Sequence, residues 1–190
     1  MIFGTVQRRV LTVSMLTVAL ALGAISPVAA ATPNYRPDGQ IRHPCDPQWT
    51  DCRPEWLGKN IYNTTGIGQL AEHYDQQGVT YDGPVVFRIR IQNDGARGDR
   101  FRVSTIGSTS GYRVKFFKGT TNITAAVEAG TYKTPKLAPG ATYKIRARVV
   151  LLSDAVHGDE AHRLVTLSSI GNPNKKDAVE FWRGFFVCGC

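Results

Sequence analysis

The chain has 190 residues, of which 23 are Lys or Arg and 15 are Asp or Glu, so its formal net charge at neutral pH is +8. This length is typical of one domain with extensions, and the excess of positive charge favours neutral or anionic partners over cationic ones. The sequence shows no internal repeat and no long low-complexity tract, which excludes a repeat architecture.

The N-terminal segment has the three parts of an export signal. MIFGTVQRR is a short basic region, VLTVSMLTVALALGAI is an apolar run, and SPVAAA supplies the small residues that a signal peptidase requires. We therefore predict a signal peptide over residues 1–31, cleaved after Ala30 or Ala31. No later segment is apolar enough to span a bilayer. The expected location is secreted or in the cell envelope, with no transmembrane segment after cleavage.

Residues 32–58 are rich in proline and contain Trp49 and Trp56. Proline fixes φ and lacks a backbone donor, so this composition favours irregular structure over a strand or a helix. We expect an irregular arm here, followed by one domain over residues 59–190.

The four cysteines indicate structural disulfides, because their number is even and the compartment is oxidising. Cys45 and Cys52 enclose DPQWTD, and Cys188 and Cys190 flank one glycine. Two local bridges or two crossed bridges fit equally well, and crossed bridges would tie the arm to the end of the last strand. His43 lies near Cys45, but the spacing matches no familiar zinc pattern, so we expect no metal site and no cofactor.

Beyond the arm, apolar and polar residues alternate with a period of two in several short segments. VVFRIRIQ is the clearest, and FRV, RVKF, ATYKIRARVVLL, HRLVTLSS and AVEFWRGFF follow it. This alternation is typical of half-buried strands, and Gly, Pro, Asn and Asp separate the segments. QLAEHYDQ has only a weak apolar stripe, and we expect a loop there. The pattern predicts an all-β, antiparallel β-sandwich.

The segment KLAPGATYKI contains a specific turn signal. Pro139 presets one corner, and Gly140 can adopt the positive φ that a type II turn requires. We expect Leu137 to enter the core beside this turn.

Four stretches together carry a resemblance to a known family: NIYNTTGIGQ, FRIRIQNDG, VKFFKGTTNIT and AGTYKTPKLAPG. They resemble the immunoglobulin-like modules of bacterial secreted and surface proteins, relatives of CARDB-type cell-adhesion domains. The resemblance covers roughly Asn60 to Phe186. It implies an immunoglobulin-like β-sandwich that serves as a spacer, a stalk or an interaction surface, and it brings no shared catalytic residues.

Two polar patterns have simple structural interpretations. NDGARGD joins two strand-like segments and contains Arg97-Gly98-Asp99, an integrin-type tripeptide, but turn chemistry alone explains its composition. Acidic residues and histidines also cluster, without a nucleophile motif or a familiar ligand spacing, so we expect no enzymatic activity. These clusters are Glu72, His73 and Asp75, and His157, Asp159, Glu160 and His162.

Two further sets of residues are candidates for ligand binding. We expect Trp49 and Trp56 either to bind sugar rings or to pack the arm onto the sandwich. Arg88, Arg90, Arg146 and Arg148 form an expected face for an anionic polymer. The alternative is that the two sheets place the basic residues on opposite outer faces of the domain. The full set of basic residues at outward positions of the strands is Arg88, Arg90, Arg100, Arg102, Arg113, Lys115, Lys144, Arg146 and Arg148.

The sequence therefore predicts an exported, non-enzymatic, structural or adhesive module of the bacterial envelope or secreted fraction. The alternative is a carbohydrate-binding module that uses Trp49 and Trp56. The expected partners are an envelope glycan, an anionic polymer or another surface protein, and not a specific nucleic acid.

Overall fold

The alternating segments form strands in the computed structural model, which describes residues 34–42, 55–76 and 83–186. The predicted signal peptide, Trp49 and all four cysteines lie outside the described residues, so the predictions made for them stay predictions. In chain order the elements are β1 (Pro37–Arg42), β2 (Leu70–Gln76), β3 (Val85–Asn93), β4 (Phe101–Ile106), β5 (Tyr112–Lys118), β6 (Thr121–Asn122), α1 (Thr124–Glu128), β7 (Tyr132–Lys133), β8 (Thr142–Leu151), β9 (Glu160–Ser169) and β10 (Lys176–Phe186).

The strands form two sheets around a shared apolar core. The first sheet has the order β1-β3-β8-β5-β6, and the second has the order β2-β10-β9-β4-β7. Without the short strands and the edge strand β2, the orders β1-β3-β8-β5 and β10-β9-β4 reproduce the ABED and GFC sheets of an immunoglobulin constant domain. The fold is therefore an immunoglobulin-like β-sandwich, as the sequence predicted.

Alternation along each strand decides which side chains enter the core. On β3, Phe87, Ile89 and Ile91 are fully buried, whereas Arg88 between them is exposed. Phe87 stacks on Phe181 of β10 with 4.8 Å between ring centroids, and this contact joins the two sheets. Burying such aromatic and aliphatic side chains stabilises the fold by about 1.5–3 kcal/mol for each side chain.

The first strand is a correction to the predicted irregular arm. Pro37–Arg42 pairs with β3 along its whole length, so the sandwich begins well before residue 59. The prediction failed because Pro, Asp and Gly are depleted in strands and no apolar alternation marks the segment. The buried carboxylate of Asp38 finds partners in Gln40 and in the backbone N–H of Asn60, which makes this polar strand tolerable.

The segment predicted to be a loop, QLAEHYDQ, is also a strand. Leu70–Gln76 runs parallel to β10 at the edge of the second sheet. Its alternation is hidden because two of its inward residues, His73 and Asp75, are polar. The sequence pattern fails here because a partner on a distant strand, Arg183, compensates the buried charge.

The predicted turn at Pro139 and Gly140 is confirmed. Gly140 has φ of 73°, and the N–H of Ala141 donates to the carbonyl of Ala138 at 3.0 Å. Leu137 is 6% exposed and belongs to the core, as expected. Among the described residues, no helix has the length and apolar character needed to cross a membrane.

Candidate functional site

The outer face of the first sheet carries a row of arginines across three neighbouring strands. Arg88 of β3 lies opposite Arg42 of β1 and opposite Arg146 of β8. Neighbouring strands are about 4.8 Å apart, so these guanidinium groups project side by side from one face. Their neighbours along the strands, Ile89 and Ile145, are buried, which fixes the arginines on the outer side.

Two further register rows extend the positive charge. Arg90 lies opposite Lys144, and Arg148 lies opposite Lys115 of β5. Lys144 and Arg148 are exposed, whereas Arg90 and Lys115 are half-buried. The structure therefore brings the predicted quartet onto one face, which we call the basic face: Arg88, Arg90, Arg146 and Arg148, together with Arg42, Arg113, Lys115 and Lys144.

The two sheets divide the predicted basic set unevenly. Only Arg100 and Arg102 belong to the second sheet, because they flank or lie within β4. The ion pairs between described residues involve His73, His162 and Arg183. No described carboxylate therefore neutralises the exposed arginines of the basic face, Arg88, Arg146 and Arg148.

Trp56 lies against this same face. Leu57 and Ile41 exchange two backbone hydrogen bonds at the outer edge of β1, and the Leu57 side chain packs against the core. Trp56, the preceding residue, projects to the opposite side of the backbone, toward the basic face. The Arg90 guanidinium carbon lies 4.6 Å from the centroid of the Trp56 ring, and the Lys144 Nζ atom lies 5.9 Å from it. These distances correspond to cation–π contacts, so the two ligand surfaces predicted separately meet at Trp56.

A shallow groove of about 390 Å³ runs across the basic face. Phe117 forms part of its floor, and the Arg146 guanidinium carbon lies 5.5 Å from the centroid of that ring. A groove that combines cationic side chains with aromatic rings suits an anionic ligand that also has flat or apolar surfaces. Its lining residues are Arg42, Trp56, Val86, Arg88, Phe117, Lys118, Gly119, Lys144, Ile145 and Arg146.

Buried polar groups under the edge of the basic face hold Arg90 in place. Arg90 donates to the side-chain carbonyl of Gln40, whose amide donates in turn to Asp38. Burial raises the pKa of Asp38 to about 6, and the hydrogen bond from Gln40 and the charge of Arg90 oppose part of this rise. Arg90 is consequently a positioned residue, whereas Arg88, Arg146 and Arg148 extend into solvent.

The first acidic–histidine cluster predicted from sequence does not form a single site. His73 and Asp75 face inward, and Glu72 faces outward. Asp75 pairs with the fully buried Arg183 at 2.5 and 2.7 Å and accepts a hydrogen bond from Tyr112 at 2.8 Å. Burial raises the pKa of Asp75, but the hydrogen bond from His73 and the charge of the Arg183 guanidinium outweigh burial. The net effect lowers the pKa from 3.8 to about 2. This arrangement is a buried ion pair in the core.

The second predicted cluster is spread over the outer face of the second sheet. His162 contacts Glu180, and Glu160 accepts a hydrogen bond from the indole of Trp182 at 2.8 Å. Asp159 instead accepts the backbone N–H of Val156 at 2.7 Å, within its own loop. The members of the cluster therefore have separate partners.

The NDGARGD segment forms a supported turn. Asn93 is fully buried and donates to the carbonyls of Arg97 and Leu137 at 2.8 and 2.9 Å. Asp99 is 4% exposed, and its carboxylate accepts hydrogen bonds from Ser169 and from the backbone N–H of Gly171. The carboxylate of the tripeptide is thus committed to the fold, in agreement with the interpretation as a turn.

Sequence reasoning missed two features of these surfaces. Arg42 joins the basic face only because Pro37–Arg42 is a strand, which the polar composition concealed. Trp182, Tyr74 and Phe186 form an aromatic cluster on the second sheet, with 4.9 Å between the ring centroids of Tyr74 and Trp182. The signal for this cluster was the aromatic residues in the outward phase of AVEFWRGFF, but Tyr74 lay in a segment predicted to be a loop.

Comparison with known proteins gives a likeness in fold only. No family model matches the chain, and no curated protein matches it. Among solved structures, the PapD-like domain 7 of human CEP192 has 7% sequence identity and a TM-score of 0.38, with 92% of this chain and 99% of that chain covered. The CooA pilin subunit of enterotoxigenic Escherichia coli has 7% identity and a TM-score of 0.37, with 78% and 98% covered.

The VesB protease of Vibrio cholerae has 13% identity and a TM-score of 0.36. The matched region covers 61% of this chain and 30% of the protease. TM-scores at this level carry no functional assignment, so the function is inferred from the surfaces of this molecule.

Proposed function

We propose that this protein is an exported, non-enzymatic, adhesive module of the bacterial envelope or secreted fraction, of the CARDB-like type, and that its basic face binds an anionic polymer. The observation that carries the proposal is the register of Arg42, Arg88 and Arg146, which aligns three cations across three adjacent strands. The apolar run and small-residue ending of residues 1–31 support export.

The pairing of two exposed arginines, Arg88 and Arg146, has an electrostatic cost that a polyanion removes. Two like charges about 4 Å apart in water repel by about 1 kcal/mol, and these two residues lie directly opposite each other on strands about 4.8 Å apart. A polymer with repeated phosphate, sulfate or carboxylate groups would replace this repulsion with attractions along the whole face. Arginine suits this role because its planar fork binds oxyanions in a bidentate manner.

The buried ion pair of Asp75 and Arg183 supports the non-enzymatic part of the proposal. The Asp75 carboxylate is bound in a bidentate manner by Arg183 and also accepts a hydrogen bond from Tyr112. A neutral-sugar platform at Trp56 is the weaker alternative, because the guanidinium of Arg90 lies over the ring at 4.6 Å.

Retention on immobilised heparin and on a column of immobilised teichoic acid tests the proposal. The chain offers a matched pair of double variants with equal changes in charge. R88S/R146S removes two cations from the basic face, whereas R100S/R102S removes two exposed cations from the side of the second sheet. Screening acts over about 10 Å at 0.1 M salt, so the wild type should elute as the salt concentration rises.

We expect R88S/R146S to elute at a clearly lower salt concentration than R100S/R102S on both columns. Equal elution of the two variants would mean that retention reflects net charge alone. If neither column retains the wild type at low salt, the proposal is overturned outright.

A further inference from the structure

We propose that the outer face of the second sheet is a binding platform for an uncharged pyranose oligosaccharide, formed by Tyr74, Trp182 and Phe186. We call these three residues the aromatic platform. The proposal is independent of the polyanion function, because the platform lies on the second sheet and the basic face lies on the first.

The backbone positions the central ring. Gly184 lies two residues after Trp182, on the same outer face of β10. A Cβ atom at Gly184 would lie 2.1 Å from the Cη2 atom of Trp182. The indole therefore lies over the bare backbone at Gly184, a position that only glycine leaves open. The hydrogen bond from Trp182 Nε1 to Glu160 at 2.8 Å fixes the ring in its plane.

The other two rings extend the surface around Trp182. Tyr74 lies opposite Gly184 on the edge strand β2 and is 52% exposed, and Phe186 is 39% exposed. The ring centroids of Trp182 and Phe186 are 5.8 Å apart, and those of Tyr74 and Phe186 are 6.0 Å apart. The three rings are tilted by 33° to 57° to one another, and together they line a depression of about 300 Å³.

The depression also provides hydrogen-bonding groups. Glu72 and His162 line it together with the aromatic rings, and Glu160 and Glu180 lie next to them through their contacts with Trp182 and His162. Carboxylates and a neutral imidazole accept hydrogen bonds from hydroxyl groups, and the carboxylates would repel an anionic polymer. Aromatic faces with a polar rim match a pyranose, which has an apolar C–H face and hydroxyl groups around its edge.

The same geometry argues against two other occupants. A quaternary ammonium group needs rings that surround an open space, but these rings contact one another at centroid distances of 4.9 to 6.0 Å. The carboxylates exclude the polyanion proposed for the basic face. A flat, uncharged sugar chain lying across the platform meets both conditions.

The test is the fluorescence of Trp182 in a W49F/W56F background, titrated with the β-1,4-linked hexasaccharides of glucose, N-acetylglucosamine and mannose. Tetramethylammonium chloride is titrated in parallel. We expect one of the hexasaccharides to change the emission with saturation, because stacking on the indole alters its surroundings. Y74A should weaken this binding by about tenfold, the equivalent of one lost aromatic contact.

I106A is the matched control, because Ile106 is an apolar residue of the same sheet that is 67% exposed and lies outside the platform. It should bind as the W49F/W56F background does, and Y74A should keep its retention on heparin. A flat response to all three hexasaccharides overturns the proposal, as does an equal response of Y74A. A response to tetramethylammonium alone, or self-association that Y74A abolishes without any sugar response, would also overturn it.

Discussion

Replacement of Arg183 by Met tests the energetic interpretation of the core. Arg183 is fully buried, holds Asp75 at 2.5 and 2.7 Å, and donates to the carbonyl of Val149 at 2.7 Å. Methionine fills much of the same volume but leaves the Asp75 carboxylate without its cation. Breaking a buried ion pair in this way costs about 3–5 kcal/mol. We therefore expect R183M to lose about 3–5 kcal/mol of the free energy of unfolding at pH 7.

The double variant R183M/D75L distinguishes the ion pair from simple packing. Removing both residues leaves no uncompensated charge, although Tyr112 and the carbonyl of Val149 each lose a partner, so the double variant should be more stable than R183M. Urea unfolding at pH 7, followed by circular dichroism, measures all the variants, and a constant slope shows that the same surface unfolds. A loss below about 1 kcal/mol in R183M, or a double variant less stable than R183M, would contradict the argument.

Three smaller predictions concern pH, the turn and the loop. Burial raises the pKa values of Asp38 and Asp177 from 3.8 to about 6, so the folded state holds these protons more tightly than the unfolded chain does. Their contribution to the free energy of unfolding, about 3 kcal/mol for each group, is fully present below pH 3.8 and is lost as the pH rises through 6. A thermal midpoint that does not fall between pH 4.5 and 7 would contradict this. G140A should lose about 1 kcal/mol in urea unfolding, because φ is 73° there and an added Cβ meets no neighbour, so only backbone strain acts; an unchanged midpoint would refute the positive-φ argument. D99A should lose about 2 kcal/mol through three hydrogen bonds to its carboxylate, whereas R97A, at an exposed neighbour, should change stability by less than about 0.5 kcal/mol; equal effects of the two variants would contradict the structural role of Asp99.

The strands with regular alternation could be predicted from sequence, because their core faces consist of apolar side chains. VVFRIRIQ shows this best, since Phe87, Ile89 and Ile91 are all buried and Arg88 is exposed. The turn at Gly140 could be predicted because its conformation is local and depends on proline and glycine chemistry. These features depend only on residues close in sequence.

The strands β1 and β2 could not be predicted in this way, because they bury polar side chains. Asp38 and Gln40 lie on the outer face of β1, and His73 and Asp75 lie on the inward face of β2, yet all four are buried. Each depends on a partner that is distant in sequence, such as Arg90 for Gln40 and Arg183 for Asp75. A pattern of hydrophobicity cannot reveal compensation between groups separated by 50 or 108 positions.

The same limit applies to the candidate sites. The sequence identified the outward phase of Arg88 and Arg146 but could not show that their strands are neighbours, and that neighbourhood turns scattered cations into a row. It also could not assign Trp182 and Tyr74 to one surface, because their strands lie far apart in sequence and pair in parallel. In an immunoglobulin-like sandwich the chain passes back and forth between two sheets. Strands that are neighbours in sequence can therefore present their outward side chains on opposite faces of the domain. In this protein the basic face lies on one sheet and the cluster of Tyr74, Trp182 and Phe186 lies on the other, so one small domain has two chemically distinct surfaces.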